Sequence, residues 1–312
     1  MQVLSFIGWR LVQLVPTILL VAVLIFGLMR LLPGDPALTL LGNHATPETL
    51  AALRHQMGLD RSIGWQFWSF IGNLARGEFG TSVTMSAPVW QLIVDRTPIT
   101  LMLTTMAAVI AIVIAVPAAF AGALRPNGWM DAAIQSAAQI GLSMPVFYIG
   151  LLLLITVAAG LGWFPVGGIG RTWFQDLYFL FLPALTMGVS LAAILMRNLR
   201  ASLSDVLSAD YVSFARAKGL RPKVVLGRHV LRNALVSTLT LFGLQTATLV
   251  GNAVITETVF GIPGIGRLMI DSIFSRDYAV VQAMTIVIAV LVALIFLMVD
   301  TAQMLLDPRS AR

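Results

Sequence analysis

Six long apolar runs divide this chain, roughly 11–32, 99–124, 132–161, 177–196, 234–255 and 279–306. A run of about 18 or more apolar residues is long enough to cross a bilayer as a helix. Composition agrees: 58% of the residues are hydrophobic and 11% are charged, against about 25% charged in soluble domains. A soluble protein this apolar would expose more hydrocarbon than water tolerates. The first run follows a short start with one positive charge, Arg10. It is too long for the core of a signal peptide, and no small-x-small cleavage site follows, so we read it as a retained span. The expectation is an all-α integral membrane protein with six transmembrane helices. With no cysteine, the chain has no disulfide framework and no thiol chemistry.

The segments between the runs are structured. Residues 33–98 open on the turn cluster Leu32-Pro33-Gly34-Asp35-Pro36. Thr46-Pro47-Glu48 is a helix start, with Thr at the N-cap, Pro at the first helical position and an acid in the first turn. Leu50, Leu53 and Met57 then share a face, and Gly58 can close the helix. A second amphipathic stretch carries Trp65, Phe67, Trp68, Phe70, Ile71 and Leu74, and aromatics there suit a membrane–water boundary. This segment is too long and too patterned for a plain loop; we expect a small extramembrane helical insert. Pro117 and Pro145 fall inside the second and third runs, where prolines are either bends or tolerated kinks. Asp300, near the inner end of the sixth run, is expected to face another helix.

The positive-inside rule orients the chain. The densest basic segment lies between the fourth and fifth runs and holds Arg197, Arg200, Arg216, Lys218, Arg221, Lys223, Arg228 and Arg232. Placing it in the cytoplasm puts both termini inside.

That same loop, 197–233, is the most informative part of the chain. Ser208 or Asp210 can cap a short helix, Tyr211–Lys218, and Gly219 sits where a left-handed C-cap belongs. Pro222 blocks continuation. A compact helix with defined ends is suited to insertion into a groove on another protein.

Here the loop resembles the cytoplasmic coupling loop of bacterial ABC importer permeases. Ala215, Gly219 and Leu231 agree with that family's general pattern. Asp210, Tyr211, Ala215, Arg216, Ala217, Lys218, Gly219 and Leu220, followed by His229, Leu231, Arg232, Asn233 and Ala234, resemble the peptide-permease branch more fully. So do Leu32–Pro36, Gly58-Leu59-Asp60, Gly77–Ser82, Glu257–Phe260, Pro263–Arg267, Arg276-Asp277-Tyr278, Asp300 and Asp307-Pro308-Arg309. Ala279 departs from the branch, which usually has Pro there; this is expected to loosen the start of the sixth span.

The resemblance implies a type I ABC importer permease core, 95–306, preceded by the first helix and an extracytoplasmic insert, 1–94, and followed by a cytoplasmic tail, 307–312. It implies a bacterial inner-membrane location. The implied partners are a second homologous permease (as a heterodimer), one or two ATP-binding cassette ATPases and an extracytoplasmic solute-binding protein, with no nucleic acid. ATPase coupling falls to Asp210, Tyr211, Ala215, Arg216, Ala217, Lys218 and Gly219. Glu257, Phe260, Pro263, Gly264, Gly266 and Arg267 are candidates for an outer gate or a binding-protein contact, against plain interfacial packing. The chain lacks GxxxxGK[ST], so ATP and Mg belong on partner subunits and no cofactor or catalytic residue is expected here. No acidic or His cluster marks a metal site. The implied cargo is a dipeptide or oligopeptide, with glutathione or nickel complexes as alternatives. Composition alone leaves an ion-coupled secondary transporter open, which would need no ATPase.

Overall fold

The computed structural model of the chain describes residues 2–31, 36–42 and 45–306. The Leu32–Asp35 part of the first turn cluster, His44 and the tail 307–312 lie outside the described residues. Among those described, the long helices are α1 (Gln2–Leu31), α5 (Val89–Leu124), α8 (Trp173–Leu207), α11 (Arg232–Val259) and α13 (Tyr278–Leu306). Shorter helices are α2 (Pro36–Leu41), α3 (Pro47–Gln56), α4 (Ile63–Arg76), α6 (Trp129–Ser143), α7 (Val146–Leu153), α9 (Asp210–Ala217), α10 (Pro222–Val224) and α12 (Ile265–Phe274). Strands β1 (Thr81–Ser82) and β2 (Ala87–Pro88) form one antiparallel pair.

Among the described residues five helices are long and apolar enough to span a bilayer, and six spans result when the pair 129–143 and 146–160 counts as one. That pair is the main departure from the expected pattern. It does not form a straight third span but bends by 102° at a short break. Met144 is extended (φ −92°, ψ 128°) because the proline ring after it disfavours the helical region. A π-helical segment, Leu154–Gly160, then finishes the outer arm.

Three helices also outrun their apolar stretches. Helix α5 starts at Val89 rather than near 99, α1 starts at Gln2 rather than Leu11, and α8 continues past Met196 to Leu207. Hydropathy marks only the part of a helix that lies within the apolar layer. The backbone ladder continues until a residue stops it, and long basic side chains reach water from a helix end. Arg197 and Arg200 therefore lie on α8, not in a loop.

The described residues fall into two compact units. The first comprises 2–7, 99–263 and 294–306. Its hub is α8, packed by α6, α7 and α11. Leu180, Leu182, Met187, Leu199 and Leu203 fill the core from α8, and Phe260 and Ile262 from the turn after α11. Buried alanines recur every four residues on α5, at 107, 111, 115, 119 and 123. Small residues let backbones approach where lipid supplies no hydrophobic driving force. At Gly188 of α8, a Cβ would lie 3.0 Å from the Ala107 carbonyl oxygen and 2.9 Å from Ile110 Cγ2. Gly243 of α11 is as tight: a Cβ would sit 2.3 Å from Val299 Cγ1 of α13.

The second unit comprises 8–31, 36–42, 45–98 and 264–293. Within it the helix starts and stops fall where the sequence places them. Thr46 caps α3, its Oγ1 accepting from the Thr49 N–H at 3.2 Å, and Gly58 follows the helix at φ +65°. Ser62 caps α4, and Gly77 closes it in the left-handed region at φ +73°. Helix α4 is pinned to α1 by Phe67 and Phe70, whose rings lie 5.3 and 5.9 Å from that of Phe26. With Ala279 where the branch usually has Pro, the start of α13 is tied down by Asp277. Asp277 Oδ1 accepts the Val280 N–H at 3.4 Å, while its Oδ2 accepts Ser82 Oγ at 2.6 Å and Thr84 Oγ1 at 2.8 Å. One carboxylate thus holds the helix start and the β1–β2 turn.

Candidate functional site: a short capped helix and a buried turn

The candidate docking helix, α9, is built from α8 onward. Helix α8 ends at Leu207, and Ala209 is the extended N-cap of α9. Neither residue suggested by the sequence caps it. The Ala209 side chain offers no cap hydrogen bond, Asp210 is instead the first-turn acid, and Ser208 Oγ turns back to donate to the Asp205 carbonyl at 2.8 Å. An acid in the first turn still complements the helix dipole.

The C-terminal end matches expectation. Gly219 is left-handed at φ +74°. Its N–H donates to the Arg216 carbonyl at 2.9 Å, and the Leu220 N–H donates to the Ala215 carbonyl at 3.3 Å. These paired bonds are a Schellman closure, which glycine permits without steric cost.

Helix α9 has two faces. Val212 and Ala215 are buried and join the cluster that contains Leu199 and Leu203 of α8. Tyr211 and Phe214 are exposed, Phe214 to 69%, and Arg216, Ala217 and Lys218 are exposed beside them. Tyr211, Phe214 and Lys218 follow helical spacing and form one stripe. Sequence reading assigned Phe214 no role; a large apolar residue in a short, polar, capped helix was the available signal. The motif contains Asn233 without giving it a role. Its Nδ2 donates to the Tyr211 hydroxyl at 3.1 Å and to the His229 carbonyl at 2.8 Å, tying the two halves of the loop motif together.

The outer candidates separate. Glu257, Phe260 and Pro263 belong to the first unit; Gly264, Gly266 and Arg267 belong to the second. Glu257 is fully buried and accepts a hydrogen bond from Thr100 Oγ1 at 2.5 Å. Its carbonyl also accepts the Ile262 N–H at 2.8 Å, closing the turn after α11. Phe260 is buried; its carbonyl accepts the Gly168 N–H at 3.1 Å, and a Cβ on Gly167 would lie 2.2 Å from that oxygen. Only glycine fits there. In the second unit Gly264 is the N-cap of α12, Gly266 is buried in it, and Arg267 faces Asp271 one turn on at 3.8 Å. Among the described residues no group of three or more His, Cys, Asp or Glu is placed to hold a metal ion.

Two family profiles match the chain. The "Binding-protein-dependent transport system inner membrane component" profile covers residues 111–312, and its N-terminal companion covers 3–104. The chain belongs to this family. It is a permease subunit of an ABC importer in the bacterial inner membrane, and its work involves ATPase and binding-protein partners. That sets aside the ion-coupled transporter reading.

The glutathione transport system permease protein GsiC of Pectobacterium atrosepticum is 40% identical over 299 residues, covering 96% of both chains. GsiC of Escherichia coli K12 is 38% identical over 305 residues, covering 98% of both. Among solved structures, the inward-facing MetNI methionine ABC transporter aligns at a TM-score of 0.58 and 18% identity, covering 70% of this chain and 97% of that one. An amino acid ABC transporter aligns at 0.51 and 15%. These structural likenesses speak to the fold of a type I importer permease.

Proposed function

We propose that this chain forms half of the translocation pathway for small peptides, glutathione among them, beside a second homologous permease. An extracytoplasmic binding protein delivers the cargo, and ATP with Mg is bound and hydrolysed by one or two separate ATPase subunits. Helix α9 is the plug that enters the ATPase. One observation carries this reading: α9 buries Val212 and Ala215 in its own bundle while Tyr211 and Phe214 stay exposed, and Gly219 closes the helix abruptly. A helix held from behind with an aromatic stripe in front is built for a groove. Arg216 and Lys218 flank the stripe and suit acidic groups on the groove wall. In this reading 1–94 comprises the first span and an outer insert, the insert receives the binding protein, and the turn Glu257–Pro263 contributes to the outer gate. The γ-linked tripeptide glutathione falls within the same cargo class as short peptides, and the named relatives favour it.

Proteoliposomes carrying the chain with its operon partners test this. Uptake of labelled glutathione or dipeptide is expected to require ATP and loaded binding protein. Phe214→Asp and Ala215→Asp are expected to insert normally but to lose uptake and ATPase co-purification. Uptake driven by an ion gradient without ATP would sink the reading.

A further inference from the structure

The buried ion pair Asp131–Arg200 belongs neither to the coupling motif nor to the outer candidates. Arg200 lies on α8 two turns before its end, and Asp131 lies in the first turn of α6. Arg200 Nε donates to Asp131 Oδ1 at 2.5 Å, and a terminal guanidinium nitrogen donates to Oδ2 at 2.6 Å. The Asn127 N–H donates to Oδ2 at 3.1 Å, from a backbone held left-handed at φ +63°. Asp131 is 1% exposed and Arg200 20%. The pair is tightly seated: a Cβ on Gly122 of α5 would lie 3.0 Å from Asp131 Oδ1 and 3.4 Å from Arg200 Cδ.

Topology does not account for this. Among the described basic side chains of residues 197–232, the others are exposed, as the positive-inside rule requires, and Arg200 alone folds back into the bundle. Stability is a poor account too, because the desolvation of a buried ion pair offsets much of its attraction. What a bidentate fork supplies is a fixed distance and a fixed orientation between two elements. Here the elements are the α5–α6 turn and the end of α8. Val212 of α9 is buried in the cluster that holds Leu199 and Leu203, so α9 and the last turns of α8 share one packed core.

We propose that Asp131 and Arg200 are positioning residues for transport: they lock the start of α6 to the end of α8, so that displacement of α9 moves the inner arm of the bent α6–α7 span. This rests on α9 being the docking helix. The two claims fail differently, because loss of docking removes ATPase co-purification, whereas loss of the lock leaves it.

The test uses the assembled transporter with its binding protein. Arg200→Lys keeps the charge and loses the fork; Asp131→Asn keeps the shape and loses the charge. Both are expected to retain ATPase co-purification and basal hydrolysis, yet to consume about tenfold more ATP per molecule imported, within the range of ordinary coupling energies. A wild-type ratio of ATP to cargo in either variant would overturn the proposal. A second measurement covers variants that fail to assemble. The chain lacks cysteine, so spin labels can be placed at exposed Trp129 and Asp205 without background. With Asp131 and Arg200 intact, their separation is expected to stay constant between nucleotide-free and ATP-bound states. A change between those states would contradict a lock.

Discussion

At the residue scale, the decisive positions are those where one atom more or less changes the geometry. Gly219 is left-handed with open space around it, so Gly219→Ala meets backbone strain but no clash. We expect a loss of about 1 kcal/mol of local stability and reduced but measurable uptake. Gly219→Pro cannot reach a positive φ and is expected to abolish uptake, with insertion intact by membrane fractionation. Asp277 carries a different load, anchoring Ser82, Thr84 and the start of α13. Asp277→Ala leaves those donors without their acceptor. It is expected to cost about 1–3 kcal/mol, read as a lower melting temperature of the purified protein and faster proteolysis near 82–88. Several residue signals were legible in sequence because they are local: Thr46, Gly58 and Gly219 each announce their role through immediate neighbours. Asp131–Arg200 was not, because its partners are 69 residues apart and each reads as an ordinary loop charge.

At the element scale, helices in this chain are set by close approach as much as by hydropathy. Gly243 against Val299 is the sharpest case. Gly243→Ala is expected to destabilise by about 1–3 kcal/mol through overpacking. Adding Val299→Ala should recover most of the loss, as measured by thermal melting in detergent. No recovery would mean the crossing of α11 and α13 is not what that glycine serves. Hydropathy located the spans but not their ends. The charged continuation of α8 through Leu207 is invisible to an apolar-run reading, although it brings Arg200 and α9 into one frame. Pro145 was visible as an irregularity. Its consequence, a 102° bend, depends on Met144 adopting an extended backbone, which no periodicity reports.

At the scale of the whole molecule, the proposal is that this permease couples through a short cytoplasmic helix to an energy source held on other chains. The central claim is that Phe214 and its neighbours on α9 are the surface through which that energy enters. The most direct measurement is ATP hydrolysis by the reconstituted transporter with and without loaded binding protein, for wild type and Phe214→Asp. The account predicts stimulation in the wild type, and in the variant loss of stimulation together with loss of the co-purifying ATPase, at unchanged membrane insertion. Wild-type stimulation in Phe214→Asp would contradict it.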